Sequence, residues 1–278
     1  MTNNGHEKLV GRGARDGAQL FREWFQRLSD TAESGGHSAY VFVMGSMAEI
    51  LRVFDLPMVF PEINSLQTAI RHVSAEFLNE AEDIGYSPDI CGYVKADVAL
   101  QMRGGGHPMG KIPKPSIAVL TNACNTYLKW AEIWERMYEI PMVTVDVPAT
   151  RQANQQSQPG SEQFNREKKY VLEQIKELIK ICEKLTGKKF DIDKLRQIMG
   201  YANVMSKNWK RVLELNKSQP SHFNALTEGT IYLGVANAFR GTEEGAQYFT
   251  DLVEEMEYMS KNNIGTLIDE KYRLCFIG

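Results

Sequence analysis

The chain has 278 residues, which is enough for one large domain or two ordinary ones. Its net charge of −3 and isoelectric point near 6.0 argue against a nucleic-acid-binding protein, which usually carries a basic face. No stretch approaches the ~20 apolar residues of a membrane span, and the polar N-terminus lacks the apolar core of a signal peptide. We therefore expect a cytoplasmic protein without nucleic-acid or membrane partners. Its four widely spaced cysteines do not resemble a secreted disulfide framework, so we expect free thiols.

The first elements predict a helical extension followed by buried strands. "AQLFREWFQRLSDTA" has helical periodicity within an N-terminal extension that we assign to residues 1–37. "AYVFVMG" and "MVFPEI" are short apolar runs, typical of strands buried on both faces. After them we predict one helix, "LQTAIRHVSAEFLNEAEDIG", capped by Asn64 or Ser65 and ended by Gly85.

The next segments continue this alternation of strands and helices. "PDI", "PSIAVLTNA" and "IPMVTVDVP" are strand candidates, and the first two lead straight into helical patterns. Strands that alternate with helices of ten residues or more indicate a parallel sheet. The sequence thus predicts an α/β fold, a Rossmann-like parallel-sheet domain with helices on both faces, over residues 38–150.

The composition changes after this domain. "ATRQANQQSQPGSEQ" reads as a polar linker, and helical patterns then dominate residues 151–265. Cys182 lies in the apolar stripe of the first of these helices, which favours a core position. The final "KYRLCFIG" reads as a polar lead-in to a buried strand, which favours a core position for Cys275 as well. We interpret residues 266–278 as the incomplete start of a second α/β domain.

Two cysteines stand where a loop or strand end turns into a helix. Cys91 follows "SPDI" and precedes "GYVKADVALQM", whereas Cys124 follows "SIAVLT" and precedes "NTYLKWAEIWERMY". Ligands of open α/β sheets gather at the carboxyl ends of the strands, and a helix N-terminus favours the thiolate over the thiol. Both cysteines are therefore candidates for metal binding or catalysis. Their wide spacing matches no compact zinc pattern, so ordinary burial remains the alternative.

Other candidates come from turns beside the strands. Gly45, Ser46 and Asn125 are predicted substrate contacts from their places next to strand ends, with simple turn chemistry as the alternative. "RGGGHPMGKIPKP" is a long Gly- and Pro-rich loop that lacks a phosphate-binding glycine pattern. We expect its histidine, His107, to be solvent-exposed and without a chemical role.

Four stretches together resemble one known family. "MVFPEINSLQTA", "DICGYVKADVALQM", "GHPMGKIPKPSIAVLTNACNTYLKWAE" and "EKYRLCFIG" are similar to segments of the benzoyl-CoA reductase and 2-hydroxyacyl-CoA dehydratase family, closest to its benzoyl-CoA reductase branch. The resemblance spans residues ~38 to 278 and implies two α/β domains with a helical portion. It also implies a [4Fe–4S] cluster bound by three cysteines far apart in sequence. Cys91 and Cys124 match the first two ligands, and the third is expected beyond Gly278 rather than at Cys275.

The resemblance further implies an activity and partners. In benzoyl-CoA reductases one-electron transfer reduces the aromatic ring of an acyl-CoA to a cyclic diene, whereas in the dehydratases a ketyl radical forms and water leaves. The implied partners are a homologous second catalytic subunit, ATP-hydrolysing activator subunits, ferredoxin as an indirect electron donor and an aromatic acyl-CoA substrate. Three hypotheses stay open: a benzoyl-CoA reductase subunit, a 2-hydroxyacyl-CoA dehydratase subunit and a cluster-free partner subunit.

Overall fold

The computed structural model describes residues 9–43, 45–148, 157–267 and 269–274. The chain divides into two compact units. An α/β unit comprises Phe25–Asp191, and a helical unit comprises Met1–Trp24 together with Ile192–Gly278. In this division the first helix after the polar linker belongs with the sheet.

A four-stranded parallel sheet organises the α/β unit, as the alternation of elements predicts. The strands of the described residues, including a small hairpin, are β1 (Ala39–Val41), β2 (Met58–Val59), β3 (Gly106–His107), β4 (Gly110–Lys111), β5 (Ile117–Thr121) and β6 (Met142–Val145). The sheet has the order β2-β1-β5-β6, and every neighbouring pair is parallel. All side chains of β1 and β5 are buried, which explains why these strands read as continuous apolar runs.

Helices connect the strands and form the rest of the chain. Those of the described residues are α1 (Arg12–Ser34), α2 (Ala48–Val53), α3 (Pro61–Ile70), α4 (Ser74–Asp83), α5 (Gly92–Met102), α6 (Asn125–Tyr138), α7 (Glu162–Thr186), α8 (Ile192–Leu215), α9 (Glu228–Ala238) and α10 (Glu243–Lys261). In the chain, α2 connects β1 to β2, the helices α3 to α5 lie between β2 and β5, and α6 connects β5 to β6. Hydrogen bonds between α5 and α6 show that these two helices pack together. The parallel α/β fold class is confirmed.

The segment after β2 differs from the single helix that the sequence predicts. The helix begins earlier, with Pro61 at its first turn, so Asn64 and Ser65 lie inside α3 and do not cap it. It then breaks before α4 at His72, whose φ of 59° is left-handed. Gly85, with φ of 103°, follows the end of α4 as expected.

The loop after α5 also corrects an expectation, because His107 is 7 % exposed rather than solvated. Its ring stacks on Phe25 of α1 with centroids 5.1 Å apart. The backbone N–H of Met109 donates to Nδ1 (3.1 Å), so Nε2 carries the proton and donates to the carbonyl of Asn64 (3.0 Å). Burial lowers the pKa of His107 to about 4. The histidine is thus a neutral part of the core.

The helical unit contains α8, α10 and one helix, α9, that the sequence analysis did not identify. Glu255 of α10 is buried and accepts hydrogen bonds from the backbone N–H groups of Gly11 and Gly13 (2.6 Å to Gly13). This carboxylate therefore caps the N-terminal end of α1. Residues 271–274 are exposed and have no regular structure. The strand predicted at the end of the chain falls largely on residues 275–278, including Cys275, which lie outside the described residues.

Candidate functional site

The strand order creates a crevice at the carboxyl edge of the sheet. The chain leaves β1 toward β2 on one side and leaves β5 toward β6 on the other, so the connections diverge between β1 and β5. Ligands of open α/β sheets bind at such a switch point. The loop after β1 contains Gly45 and Ser46, and the loop after β5 contains Cys124 and leads into Asn125. The topology thus assigns four of the five predicted site residues to the two loops that flank the switch point.

Gly45 fits a tight place in the first of these loops. Its φ is 78°, which favours glycine, and a Cβ on it would lie 2.5 Å from Cγ2 of Thr121, the last residue of β5. Ser46 is buried, and its Oγ accepts a hydrogen bond from the backbone N–H of Ala48 (3.3 Å) at the start of α2. Both residues therefore have a local structural role, and their contact with substrate stays a prediction.

Cys124 begins α6 from the end of β5. It is the N-cap residue in an extended conformation (φ −135°, ψ 131°), it makes no side-chain capping bond, and it is partly exposed. The loop before it is fixed by Asn122, which donates from Nδ2 to Asp146 (2.6 Å) and accepts from the backbone N–H of Val147 (3.0 Å). Its backbone is thus anchored to the residues after β6, while the thiol stays accessible.

Cys91 also lies at the start of a helix, but no strand leads into it. It is the N-cap of α5 and is exposed, but a turn precedes it, so the strand predicted at "PDI" is wrong. Lys95, one helical turn later, stabilises this turn from the core. Its Nζ donates to the carbonyl of Pro88 (2.9 Å) and pairs with Glu82 (2.5 Å). A buried lysine therefore replaces a strand as the element that positions Cys91.

Both thiols lie at the positive ends of helices. α6 starts at the carboxyl end of β5, and α5 runs back toward the beginning of β5, so their N-termini face the same edge of the sheet. The unpaired N–H groups of such ends favour anions. Two accessible sulfur atoms in this setting suit a soft metal or a metal–sulfur cluster. The chemistry of these two donors therefore fits an iron–sulfur cluster.

A cleft of about 470 Å³ opens beside Cys91 and Asn125. Its wall is mainly apolar, and two residues of opposite charge, Asp89 and Lys129, also contribute to it. The remaining lining residues are Tyr86, Ile90, Val94, Thr126, Trp130 and Ile133. The structure thus brings one predicted ligand and one predicted substrate contact to the same cavity, between the first turns of α5 and α6.

Sequence reasoning missed a half-buried carboxylate at this edge. Glu62, at the start of α3, accepts from the backbone N–H of Val43 (2.7 Å) and from the hydroxyl of Tyr127 (2.5 Å). Burial raises the pKa of Glu62, and both hydrogen bonds oppose that change. Burial, then the charges of Cys91 and Glu62, raise the pKa of Tyr93. The signal available in the sequence was an acid directly after a buried strand, in "VFPE".

A third described cysteine, Cys182, lies away from this edge. It is fully buried in α7, as predicted, and burial raises the pKa of its thiol to about 11. In the ranges that the structure describes, no three His, Cys, Asp or Glu residues form a group that could hold a metal ion. None of the described helices is both long and apolar enough to cross a membrane.

Comparison with known proteins finds one family model and several relatives whose names all refer to CoA dehydratases or reductases. Residues 45–278 match the family model for 2-hydroxyglutaryl-CoA dehydratase, D-component. A benzoyl-CoA reductase subunit of Thauera aromatica is 33% identical over 91% of this chain and 59% of its own length. The (R)-phenyllactyl-CoA dehydratase alpha subunit of Clostridium sporogenes is 31% identical over 83% of this chain and 54% of its length.

A third relative is the (R)-2-hydroxyisocaproyl-CoA dehydratase alpha subunit of Clostridioides difficile, which is 30% identical over 83% of this chain and 55% of its length. The chain thus spans little more than half the length of these three relatives.

Proposed function

The chain belongs to the 2-hydroxyglutaryl-CoA dehydratase D-component family, and on that premise we propose that it is a subunit of an iron–sulfur benzoyl-CoA reductase. The family resemblance inferred from the four sequence motifs is confirmed by these matches. Members of this family are subunits of enzymes that act on CoA thioesters, as the names of the relatives state. The proposed reaction is an ATP-dependent, ferredoxin-driven reduction of an aromatic acyl-CoA to a cyclic diene.

The observation that carries this proposal is the placement of two accessible thiols at the N-termini of α5 and α6, on the ligand-binding edge of the sheet. We propose Cys91 and Cys124 as cluster ligands, with a third ligand from outside the described residues. Such a [4Fe–4S] cluster, when bound, supplies one-electron transfer. The positive helix ends lower the energy of the two thiolates, and the anchored loops hold the sulfur atoms in place.

The protein's own contribution is to bind and orient the thioester. We propose that backbone N–H groups around Gly45 and the side chains of Ser46 and Asn125 contact the substrate. The Ser46 hydroxyl accepts from Ala48, so its hydrogen can be donated to a substrate oxygen. The apolar wall of the cleft, which includes Trp130 and Ile133, excludes water from an acyl group bound there.

We also propose partners for this subunit. A homologous second subunit would complete the catalytic pair, and ATP-hydrolysing activator subunits would pass on electrons that ferredoxin donates. The names of all three relatives are those of subunits, which supports a multi-subunit enzyme. We place the enzyme in the cytoplasm.

A second candidate function is 2-hydroxyacyl-CoA dehydration. The description of the matching family model and the names of two of the three relatives favour it. The two reactions differ in electron balance, because ring reduction consumes two electrons per product and dehydration consumes none overall. A cluster-free partner subunit is the third possibility.

An anaerobic assay of the complete enzyme complex separates these candidates. Reduced ferredoxin and ATP are supplied with either benzoyl-CoA or a 2-hydroxyacyl-CoA, and ferredoxin oxidation is recorded together with product formation. The proposal predicts stoichiometric ferredoxin oxidation with benzoyl-CoA. Dehydration with only catalytic amounts of ferredoxin would instead assign the second function.

A further inference from the structure

The helices that begin at Cys91 and Cys124 are joined by one buried carboxylate, that of Asp97 in α5. Its Oδ2 accepts hydrogen bonds from the indole N–H groups of Trp130 and Trp134 in α6, each at 2.7 Å. Its Oδ1 accepts from the Nε2 of Gln101 at 2.9 Å. Asp97 is 1 % exposed, and both indoles are equally enclosed. Both oxygens of Asp97 are thus occupied, and two of the three bonds cross between the helices.

The residues that connect the two helices lie at the same distance in sequence from the two cysteines. Asp97 lies six residues after Cys91, and Trp130 lies six residues after Cys124. Six residues of α-helix correspond to roughly 9 Å along the axis. Because α5 and α6 run in the same direction from the same edge of the sheet, the hydrogen bond joins them at equal distance from their N-caps. The bond between Asp97 and Trp130 therefore lies about one and two-thirds helical turns beyond both cysteines.

The donors select a carboxylate at this position. An indole N–H can only donate, so both indoles require an acceptor, and an amide would turn one of its own N–H groups toward a donor. Burial raises the pKa of Asp97, whereas the bonds from Trp130, Gln101 and Trp134 lower it. Within the described parts of the chain, no lysine or arginine forms an ion pair with Asp97. Neutral donors alone thus stabilise this carboxylate.

A wider network ties this junction to the sheet. Gln101 accepts from the hydroxyl of Tyr138 in α6 (2.7 Å) and donates to the hydroxyl oxygen of Tyr40 in β1 (3.1 Å). Tyr40 in turn donates to the carbonyl of Pro113 (2.9 Å). The junction therefore fixes the two helices to β1 as well as to each other.

From this arrangement we propose that Asp97 is a positioning residue that sets the spacing of the Cys91 and Cys124 thiols. The use of those thiols as cluster ligands rests on the proposed function, but the spacing is a property of this chain alone. Asp97 lies six positions from Cys91 in sequence and acts through the helices, without contact with substrate.

The test measures the spacing directly, by continuous-wave electron paramagnetic resonance of nitroxide labels on Cys91 and Cys124. The full chain carries Cys182→Ala and Cys275→Ser so that only the two site thiols react. Dipolar broadening in frozen solution gives the distribution of label separations. We expect one narrow distribution for the chain with Asp97 intact. Asp97→Asn should shift or broaden it because the amide NH₂ group replaces one acceptor and meets a buried donor. Trp130→Phe should do so because it removes one of the two bonds between the helices.

Glu255→Gln is the matched control, since it alters a buried carboxylate in the helical unit that also accepts neutral donors. It should leave the distribution unchanged at temperatures where circular dichroism shows every variant to be folded. An unchanged distribution in Asp97→Asn, or equal broadening in Glu255→Gln, would overturn the inference. If Asp97→Asn does not fold, Trp130→Phe decides the question alone. The measurement needs no cluster, so an enzyme without iron would refute the proposed function and leave this result standing.

Discussion

Among the described residues, the α/β unit fully buries the carboxylate of Asp97 and the helical unit that of Glu255, and the two carboxylates have different roles. Asp97 and Glu255 are both 1 % exposed. Asp97 receives its hydrogen bonds from side chains of two helices, whereas Glu255 receives its bonds from the backbone at the beginning of one helix. The first carboxylate thus joins separate elements, and the second completes a single element.

This difference predicts how easily each carboxylate can be replaced. A helix N-terminus offers several N–H groups near the surface, which water can partly satisfy. Gly11, one of the donors to Glu255, is only partly buried. The indoles of Trp130 and Trp134 are enclosed in the core and have no such substitute. We therefore expect the α/β unit to depend more strongly on Asp97 than the helical unit depends on Glu255.

Alanine at each position gives the largest expected effect. Asp97→Ala leaves three buried donors unpaired and should lower the free energy of unfolding of the α/β unit by about 4 kcal/mol, whereas Glu255→Ala should cost the helical unit about 2 kcal/mol. Hydrogen exchange of the amides in α5 and α6, and separately in α10, reports each unit. Equal losses of protection in the two variants would break the comparison.

Acid pH provides a second test, because the α/β unit also contains the buried neutral His107. Its folded pKa of about 4 lies below the ordinary value of 6.5, so the unfolded chain binds a proton in this window and the folded chain does not. Stability should thus fall by about 3 kcal/mol as the pH decreases from 6.5 to 4. Urea unfolding across this range measures the slope, and His107→Gln should flatten it. An identical slope in that variant would assign the acid sensitivity to other groups.

Tryptophan substitutions in the two units compare their stabilities through smaller expected effects. Trp130→Phe removes one donor to Asp97 along with part of the ring, for an expected loss of about 2 kcal/mol. Trp209 of the helical unit is half-buried against the rings of Phe223 and Phe249, so Trp209→Phe should cost about 1 kcal/mol. Urea midpoints followed by circular dichroism compare the two. A larger loss in Trp209→Phe would show that Asp97 contributes little to the stability of α6.

The sequence predicts the sheet well because local patterns encode it. β1, β2 and β5 are apolar runs buried on both faces, and they appear in the structure where the pattern places them. The strand predicted at "PDI" fails, since three residues carry too little periodicity to separate a strand from a turn. The break in the helix at His72 was not predicted either, because the sequence around His72 contains no glycine to indicate a left-handed backbone conformation.

In the candidate site, too, the features that depend on local sequence were predicted and those that depend on long-range contacts were not. The positions of Cys91 and Cys124 at helix N-termini follow from local sequence and are found in the structure, but their use as ligands stays a prediction. Other features depend on contacts between residues more than 30 positions apart in the chain. His107 is buried against Phe25 of α1, and the carboxylates of Asp97 and Glu62 accept hydrogen bonds from side chains of α6. One sequence does not display such long-range pairings. The domain boundaries at residues 38, 150 and 265 also remain predictions.

The most direct measurement is iron and acid-labile sulfide in this subunit, purified without oxygen and separated from the other subunits of the complex. We expect about four irons in the unsubstituted protein and their loss in Cys91→Ser and in Cys124→Ser. Cys182→Ser, which changes a fully buried thiol in α7, should retain the full content. Full iron in either site variant would contradict the ligand assignment, and an iron-free unsubstituted subunit would assign the chain to a cluster-free partner.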